Sequence, residues 1–237
     1  MGPITGNDMS YTYLDDYLDD AAPSSKVNNP PQFSYRIHGK RVFDILIVFV
    51  SAPIVIPIIF LGWSVMFLSG GSGFFRQVRV GLDGKNFECW KIRTMSHHAE
   101  IELLDRMQKD PVLATKWQHT QKLDDDPRVT LFGNILRKTS IDELPQFWSV
   151  LRGDMSLIGP RPFTVDQKDI YDADESSQAY YRLRPGISGL WQVRSRNRGC
   201  FKDRIVFDAE YESRVSLGQD LRIALMTIRE LLRASGR

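Results

Sequence analysis

The longest departure from an ordinary mix of polar and apolar positions runs from Ile45 to Phe75, where no charged residue occurs. Its apolar part, Ile45–Leu68, measures roughly 36 Å as a straight helix at about 1.5 Å per residue, against roughly 30 Å of bilayer hydrocarbon. A simple transmembrane span is the first reading, and three features disturb it. Pro53 and Pro57 fall mid-segment, where each removes a backbone donor and crowds the preceding turn. Basic residues flank both ends, Arg36, Lys40 and Arg41 before and Arg76, Arg79 and Lys85 after, so charge bias sets no orientation and allows both ends on one side. Nearly all the candidate chemistry also follows the segment. A helix that enters one leaflet, breaks near Ser51-Ala-Pro53 and returns satisfies all three, with Ser51 the nearest partner for the freed carbonyls. A kinked full span stays open on the pattern alone.

Gly70-Gly-Ser-Gly73 ends the segment. Phe74–Val80 and Asn86–Met95 then predict two strands, with Leu82-Asp-Gly-Lys85 as the turn. Ile101, Leu104 and Met107 make a helical stripe over 97–110, and 124–130 reads as a loop. Pro145 is tolerable only in a first helical turn, so a helix is expected to begin between Ser140 and Asp142 and run to about Leu151. The C-terminal part is helical again: Leu217, Leu221, Leu225, Ile228, Leu231 and Leu232 recur at three- and four-residue spacing, with Arg222, Arg229 and Arg233 on another face. Core packing is the preferred reading of that stripe, and rest on an anionic membrane the other.

The chain has 237 residues, 42% hydrophobic and 25% charged, which suits one catalytic domain that mostly folds in water. A formal charge of +2 argues against a general nucleic-acid binder. The sign is uneven: Asp8, Asp15, Asp16, Asp19 and Asp20 precede the first base, Lys26. Residues 1–35, where Tyr13-Leu-Asp-Asp16 repeats as Tyr17-Leu-Asp-Asp20, are expected to form a flexible acidic tail without a secretory signal. Cys89 and Cys200 lack metal spacing and read as reduced thiols. Residues 36–73 form the membrane-associated segment, and 74–237 the catalytic domain with its C-terminal amphipathic helix.

Candidate chemistry centres on Asp142 and Glu143, adjacent in Arg137-Lys-Thr-Ser-Ile-Asp-Glu-Leu-Pro-Gln146 and followed by Gly159-Pro-Arg-Pro162. Ser140-Ile-Asp-Glu143 fits a capping box, and acids favour the positive helix end for purely structural reasons. A helix start also binds phosphate through free amides, and a carboxylate held there could attack phosphorus if basic groups and a divalent cation screen the pair. Lys91 and Arg93 alternate on a predicted strand, and Arg128, Arg137, Arg161 and Arg184 occur in turn-rich contexts. Asp124-Asp-Asp126 has the form of an Asp-x-Asp metal site, while His97-His98 lacks a third ligand at zinc spacing. No Walker A loop or dinucleotide fingerprint is present.

The chain resembles the bacterial sugar transferases that load a polyprenyl phosphate carrier, the monotopic polyprenyl-phosphate hexose-1-phosphate transferases in their short, exopolysaccharide-producing form. The resemblance covers roughly Lys40 to Leu232. It rests on Lys40-Arg-Val-Phe-Asp44, Lys91-Ile-Arg-Thr-Met95, Asp126-Pro-Arg-Val-Thr130, Leu136 to Gln146, Arg152 to Pro162, and Arg184-Pro-Gly-Ile-Ser-Gly-Leu-Trp-Gln192, all in order. It implies an α+β, mostly helical fold: a single catalytic domain with a few short strands and a proline-broken re-entrant membrane helix. The family usually breaks that helix at Ser-Pro, whereas here Ala52-Pro53 follows Ser51. By resemblance, Asp142 is the nucleophile that attacks the sugar-linked phosphate of a UDP-sugar and expels UMP. Undecaprenyl phosphate then attacks the covalent phosphosugar. Glu143 is the dyad partner, and Mg2+ bridges Asp142 and phosphate. Arg137 and Arg161 match basic positions that hold phosphates, with Lys91, Arg93, Arg128 and Arg184 as further candidates. Asp208 and Tyr211 match a pattern of unassigned role. UDP-galactose or UDP-glucose, undecaprenyl phosphate and the cytoplasmic face of the bacterial inner membrane are the implied partners and place, with a homodimer left open. An Asp-x-Asp glycosyltransferase releasing UDP and a non-enzymatic membrane scaffold are the rival readings.

Overall fold

The computed structural model of the chain describes residues 35–68, 73–95, 99–120, 126, 128–195 and 201–232. The acidic tail before Tyr35, most of the glycine run at 70–73, His97, His98, Asp124, Asp125, Cys200 and Arg233 lie outside those residues. The architecture is mostly helical with a few short strands.

A wide helical turn, Tyr35–Gly39, leads into α1, Lys40–Leu68, which continues through both Pro53 and Pro57. With that turn it is long and apolar enough to cross a membrane by length and composition, and only 11% of its apolar window is buried against protein. Val50, Ile54, Phe60 and Leu61 are exposed. The buried positions cluster at the two ends, Lys40, Asp44 and Val48 near the start and Gly62 and Met66 near the finish. Ser51 does not serve the carbonyl of Phe49, whose usual donor is lost at Pro53. Its Oγ donates back to Ile47 at 2.7 Å and Val48 at 3.2 Å, the three- and four-residue reach that a helical serine has.

The hairpin forms as expected at β1, Phe74–Val80, while β2, Asn86–Ile92, stops short of Met95. Arg93 N still donates to Gly73 O, but Met95 leaves to bridge Val129. The register pairs Phe75 with Lys91 and Arg79 with Phe87, so Phe75, Gln77, Arg79, Phe87, Cys89 and Lys91 share one face. Then follow α2, Ala99–Lys109, α3, Pro111–Thr120, and α4, Leu131–Lys138. Thr130 caps α4 by accepting from Gly133 N. A Cβ on Gly133 would lie 2.2 Å from Thr94 O, so only glycine lets α4 pass this close to the strand exit.

Downstream lie α5, Gln146–Arg152, β3, Ser156–Ile158, α6, Lys168–Asp172, α7, Gln178–Tyr181, β4, Gly186–Ser188, α8, Leu190–Arg194, α9, Arg204–Ser213, and α10, Leu217–Leu232. β3 and β4 pair in parallel. Hydrophobic packing joins the parts: Val48 of α1 meets Phe87, Cys89, Val150 and Met155, and Met66 meets Ile92 and Leu136. A further cluster unites Ile158, Leu190, Tyr211 and Ile223. Core packing of the α10 leucine stripe is overturned. Leu217, Leu221, Leu225 and Ile228 are exposed, and α10 instead buries Asp220 and Ile223. Polar attachment decides the helix's rotation: Asp220 takes Lys40 Nζ at 2.6 Å, Tyr35 OH at 2.7 Å and Tyr211 OH at 2.5 Å. This network, with Asp44 accepting from Ser156 Oγ and Leu157 N, ties the start of α1 to the rest.

Candidate active site

Asp142 and Glu143 occupy a one-turn 3-10 helix, Ile141–Glu143, and not the start of an α-helix. The expected capping box does not form. Ser140 sits at φ +55° with no side-chain cap bond, and α5 begins only at Gln146, after Pro145. The reason is electrostatic: the Glu143 carboxylate, which a capping box would turn back to Ser140 N, is taken by two cations. Lys91 Nζ lies 2.7 Å and Arg161 Nη2 2.8 Å from the same Oε1. A left-handed serine is a costly backbone state, sustained here by the packing around it.

The turn is held from the membrane-helix side. Ile141 packs on Met66, Ile92 and Leu136. A Cβ on Gly62 would lie 2.9 Å from Ile92 Cδ1 and 3.4 Å from Ile141 Cγ2, so α1 runs close beneath the residue before Asp142.

The two acids have opposite electrostatics. Burial pushes the Asp142 carboxyl up, Glu143 pushes it further, and Lys91, Arg137 and Arg161 only partly oppose them, leaving it at about 6. Burial also acts on Glu143, but Arg161 and Lys91 overcome it and hold its carboxyl well below the usual range. Glu143 is therefore a fixed anion with its pairing complete. Among the described residues no hydrogen-bond donor or cation is paired with the carboxylate of Asp142, a residue only 8% exposed. Arg137 stands nearby, anchored by Nε donating to Thr94 Oγ1 at 2.8 Å. Burial lowers its pKa, and Asp142 opposes that shift without cancelling it.

Of the remaining sequence candidates, the structure brings Lys91, Arg137 and Arg161 to the dyad and employs the others elsewhere. Arg93 lies over the Phe75 ring. Arg128 is buried against Asp126, Nε to Oδ1 at 2.7 Å and Nη2 to Oδ2 at 2.5 Å. Both Asp126 oxygens are thus taken by a cation, which removes the support for an Asp-x-Asp metal site at this residue. Arg184 Nε donates to Gly153 O at 2.9 Å, tying β4's approach to the end of α5. Asp208 and Tyr211 are buried and held in polar networks. Asp208 accepts from Tyr171 OH and faces Arg204, and burial pushes its carboxyl up to about 6. Tyr211 belongs to the Lys40–Asp220 network.

Sequence reasoning missed Arg79, Cys89 and Gln146. They line a small cavity beside Glu143, together with Lys91, Arg161 and Pro162. The hairpin register would have found the first two, since a turn at 82–85 places residues 79, 89 and 91 on one face.

No group of three or more His, Cys, Asp or Glu side chains that could cage a metal occurs among the described residues. The set at the dyad suits a different kind of ion. A hard cation such as Mg2+ takes one or two carboxylates and completes its shell with phosphate oxygens and water, and the unpaired Asp142 carboxylate could hold it.

The chain is 41% identical over 191 residues to the exopolysaccharide production protein ExoY of Sinorhizobium fredii, covering 80% of this chain and 84% of that protein. It is 34% identical over 234 residues to the undecaprenyl-phosphate galactose phosphotransferase of Salmonella typhimurium, covering 99% of this chain but 48% of that longer protein. A UDP-glucose:undecaprenyl-phosphate glucose-1-phosphate transferase of Caulobacter vibrioides is 40% identical over 200 residues, covering 81% of this chain and 69% of that one. The profile of the bacterial sugar transferase family matches residues 35–234, from the turn before α1 to just beyond α10, and the chain belongs to that family.

Proposed function

We propose that the chain is a phosphoglycosyl transferase that moves a hexose-1-phosphate from UDP-galactose or UDP-glucose to undecaprenyl phosphate, releasing UMP, as the first membrane step of exopolysaccharide synthesis. The observation that carries this reading is the asymmetric dyad: a fully paired Glu143 anion beside an Asp142 carboxylate that is buried, unpaired and unusually basic. A carboxylate of raised pKa is the stronger nucleophile once ionised.

In the first half-reaction an Asp142 Oδ attacks the hexose-bearing phosphorus. The bond from that phosphorus to the bridging oxygen breaks, and UMP leaves with the electron pair. In the second, a phosphate oxygen of undecaprenyl phosphate attacks the same phosphorus, the acyl-phosphate bond breaks, and the carboxylate is restored. Glu143 holds Lys91 and Arg161 at the cavity and keeps Asp142 basic. Arg137, braced by Thr94, faces the charge that develops on the transferred phosphoryl oxygens. Bound Mg2+ supplies charge neutralisation at Asp142 and the phosphates.

The packing of α1 supports re-entry into one leaflet. Both its ends lie against the same catalytic body, Asp44 at Leu157 and Met66 at Leu136, whereas a straight span carries one end across the bilayer. Re-entry sets the dyad at the inner membrane's cytoplasmic face, where a lipid phosphate meets a soluble nucleotide sugar. Purified protein incubated with UDP-galactose or UDP-glucose, Mg2+ and undecaprenyl phosphate is expected to release UMP and Asp142→Asn to release none. Release of UDP, or UMP from the variant at the wild-type rate, overturns the proposal.

A further inference from the structure

The cavity beside Glu143 carries an imbalance of charge that the dyad does not explain. Three cations border it, Arg79, Lys91 and Arg161, and one carboxylate. Lys91 and Arg161 share that carboxylate. Arg79 has none: among the described residues no carboxylate lies within 4.0 Å of it. Its Nη1 donates to Pro162 O at 3.0 Å and its Nη2 to Gln77 Oε1 at 2.6 Å, both neutral acceptors. Its Nε is buried with no partner at all. Burial pulls the Arg79 pKa down, with Arg161 and Arg204 acting in the same direction and Cys89 and Glu143 opposing them. An arginine stays charged under such pressure, and a largely buried cation whose carboxylate neighbour, Glu143, is already shared by Lys91 and Arg161 is an expensive arrangement. Binding an anion relieves the expense.

The chemistry says which anion, on the reading that Asp142 forms the covalent phosphosugar. Displacement at phosphorus is in line, with the leaving oxygen opposite the attacking one. In the first half-reaction the UMP phosphate therefore departs from the side opposite Asp142. In the second, the lipid phosphate must attack along the same line from the same side. One anion position has to serve both in turn.

We propose that Arg79, with Lys91 and Arg161, forms a single phosphate subsite beside Glu143 that holds the outgoing nucleotide phosphate and then the incoming lipid phosphate. Arg137, on the Asp142 side, is left for the phosphoryl group that is transferred. The subsite binds a phosphate monoester and is indifferent to what the ester carries. Uridine and the polyprenyl chain are told apart outside it.

The competing account makes Arg79 a strut that fixes the chain at Pro162. Lysine separates the two, because it keeps the charge but not the fork that reaches both Pro162 and Gln77. The test measures equilibrium binding of radiolabelled UMP to the full chain in nanodiscs, for wild type, Arg79→Lys and Arg79→Gln, with thermal unfolding of each. Short-chain polyprenyl phosphate and inorganic phosphate serve as competitors. Arg79→Gln is expected to weaken UMP binding at least tenfold and Arg79→Lys less than threefold, with polyprenyl phosphate displacing UMP competitively from wild type. Unchanged UMP affinity in Arg79→Gln overturns the proposal. So does an equal loss in both variants accompanied by an equal fall in melting temperature, or simultaneous binding of UMP and polyprenyl phosphate. Wild type that releases no UMP from either UDP-sugar removes the functional reading itself. Wild type that releases UMP while Arg79→Gln binds it normally removes only the subsite.

Discussion

Neutralising either acid of the dyad changes one charge, yet the two substitutions should move stability in opposite directions. Asp142 rises from an ordinary 3.8 to about 6 on folding. Two pKa units at about 1.4 kcal/mol each set a ceiling of about 3 kcal/mol on the cost of keeping it ionised at neutral pH. Asparagine keeps the shape and removes the charge, but its amide must itself be desolvated, so about 1–2 kcal/mol is the net gain expected. At about 2–4 °C per kcal/mol for a chain of this size, Asp142→Asn should melt roughly 2–8 °C above wild type while losing activity. Glu143→Gln removes the shared counter-ion of Lys91 and Arg161. Breaking a buried pair costs about 3–5 kcal/mol; Arg161 is partly exposed, so about 2 kcal/mol and a fall of roughly 4–8 °C are expected. pH adds a second signature. Between 3.8 and about 6 the folded chain binds more protons at Asp142 than the unfolded chain, so this group's contribution to stability falls as pH rises through that window. The advantage of Asp142→Asn should accordingly shrink as the buffer is taken from pH 7.5 towards 4. The assay is thermal unfolding by intrinsic fluorescence in one detergent without Mg2+. An Asp142→Asn protein that melts below wild type at pH 7.5, or whose advantage grows on acidification, refutes the reasoning.

The UMP burst from UDP-glucose should fall on acidification, about tenfold per pH unit once Asp142 is protonated, with Mg2+ at that carboxylate placing the break below about 6; a rapid-quench break above pH 7 would exclude Asp142 as the titrating nucleophile. Lys40→Met should lower stability by about 3–5 kcal/mol, because Asp220 is fully buried and Lys40 is its ion-pair partner, and Lys40→Met/Asp220→Asn should recover most of it in a double-mutant cycle. Gly62→Leu should suppress UMP release in a protein that still folds and partitions with membranes, because the new side chain must displace Ile92 or Ile141; wild-type turnover would show that α1 does not set the dyad's position. Gly186→Ala should fail to accumulate as folded protein on expression, its Cβ falling 2.1 Å from Gly159 N and parting β3 from β4.

The sequence was most legible where a local pattern and the tertiary packing agree. β1 matches its alternation residue for residue, and α2 and α10 lie where their stripes predict. The α10 stripe misled on orientation because apolar periodicity cannot register a buried carboxylate. Asp220, with Lys40, Tyr35 and Tyr211 around it, turns the helix so that its leucines face out. The capping box failed for a related reason: Ser140-Ile-Asp-Glu143 is a sound local signal, and two long-range cations outbid it for Glu143. Among the basic candidates, type and spacing could not separate Arg161, which reaches the dyad, from Arg128, which is neutralised two residues away by Asp126. β3 and β4 are three residues each and pair across the chain, too short for alternation to announce them.

Each end of α1 is fastened by a different kind of contact, and the difference bears on function. The start is held by buried charge and hydrogen bonds, Lys40 to Asp220 and Asp44 to Ser156 and Leu157, which fix direction strictly. The finish rests on apolar packing, Met66 and Gly62 on Ile92, Leu136 and Ile141 with Trp63 stacked on Phe74, which tolerates small sliding. Asp142 follows Ile141 directly, so on the proposed reading the height of α1 relative to the catalytic body sets the height of the nucleophile relative to the lipid surface. A polyprenyl phosphate cannot lift its headgroup far from the interface, and a nucleotide sugar cannot enter the hydrocarbon. If the proposed transfer holds, the dyad must stand where the two phosphates coincide, and a helix anchored rigidly at its start while touching the dyad turn at its finish is a direct mechanical way to hold it there.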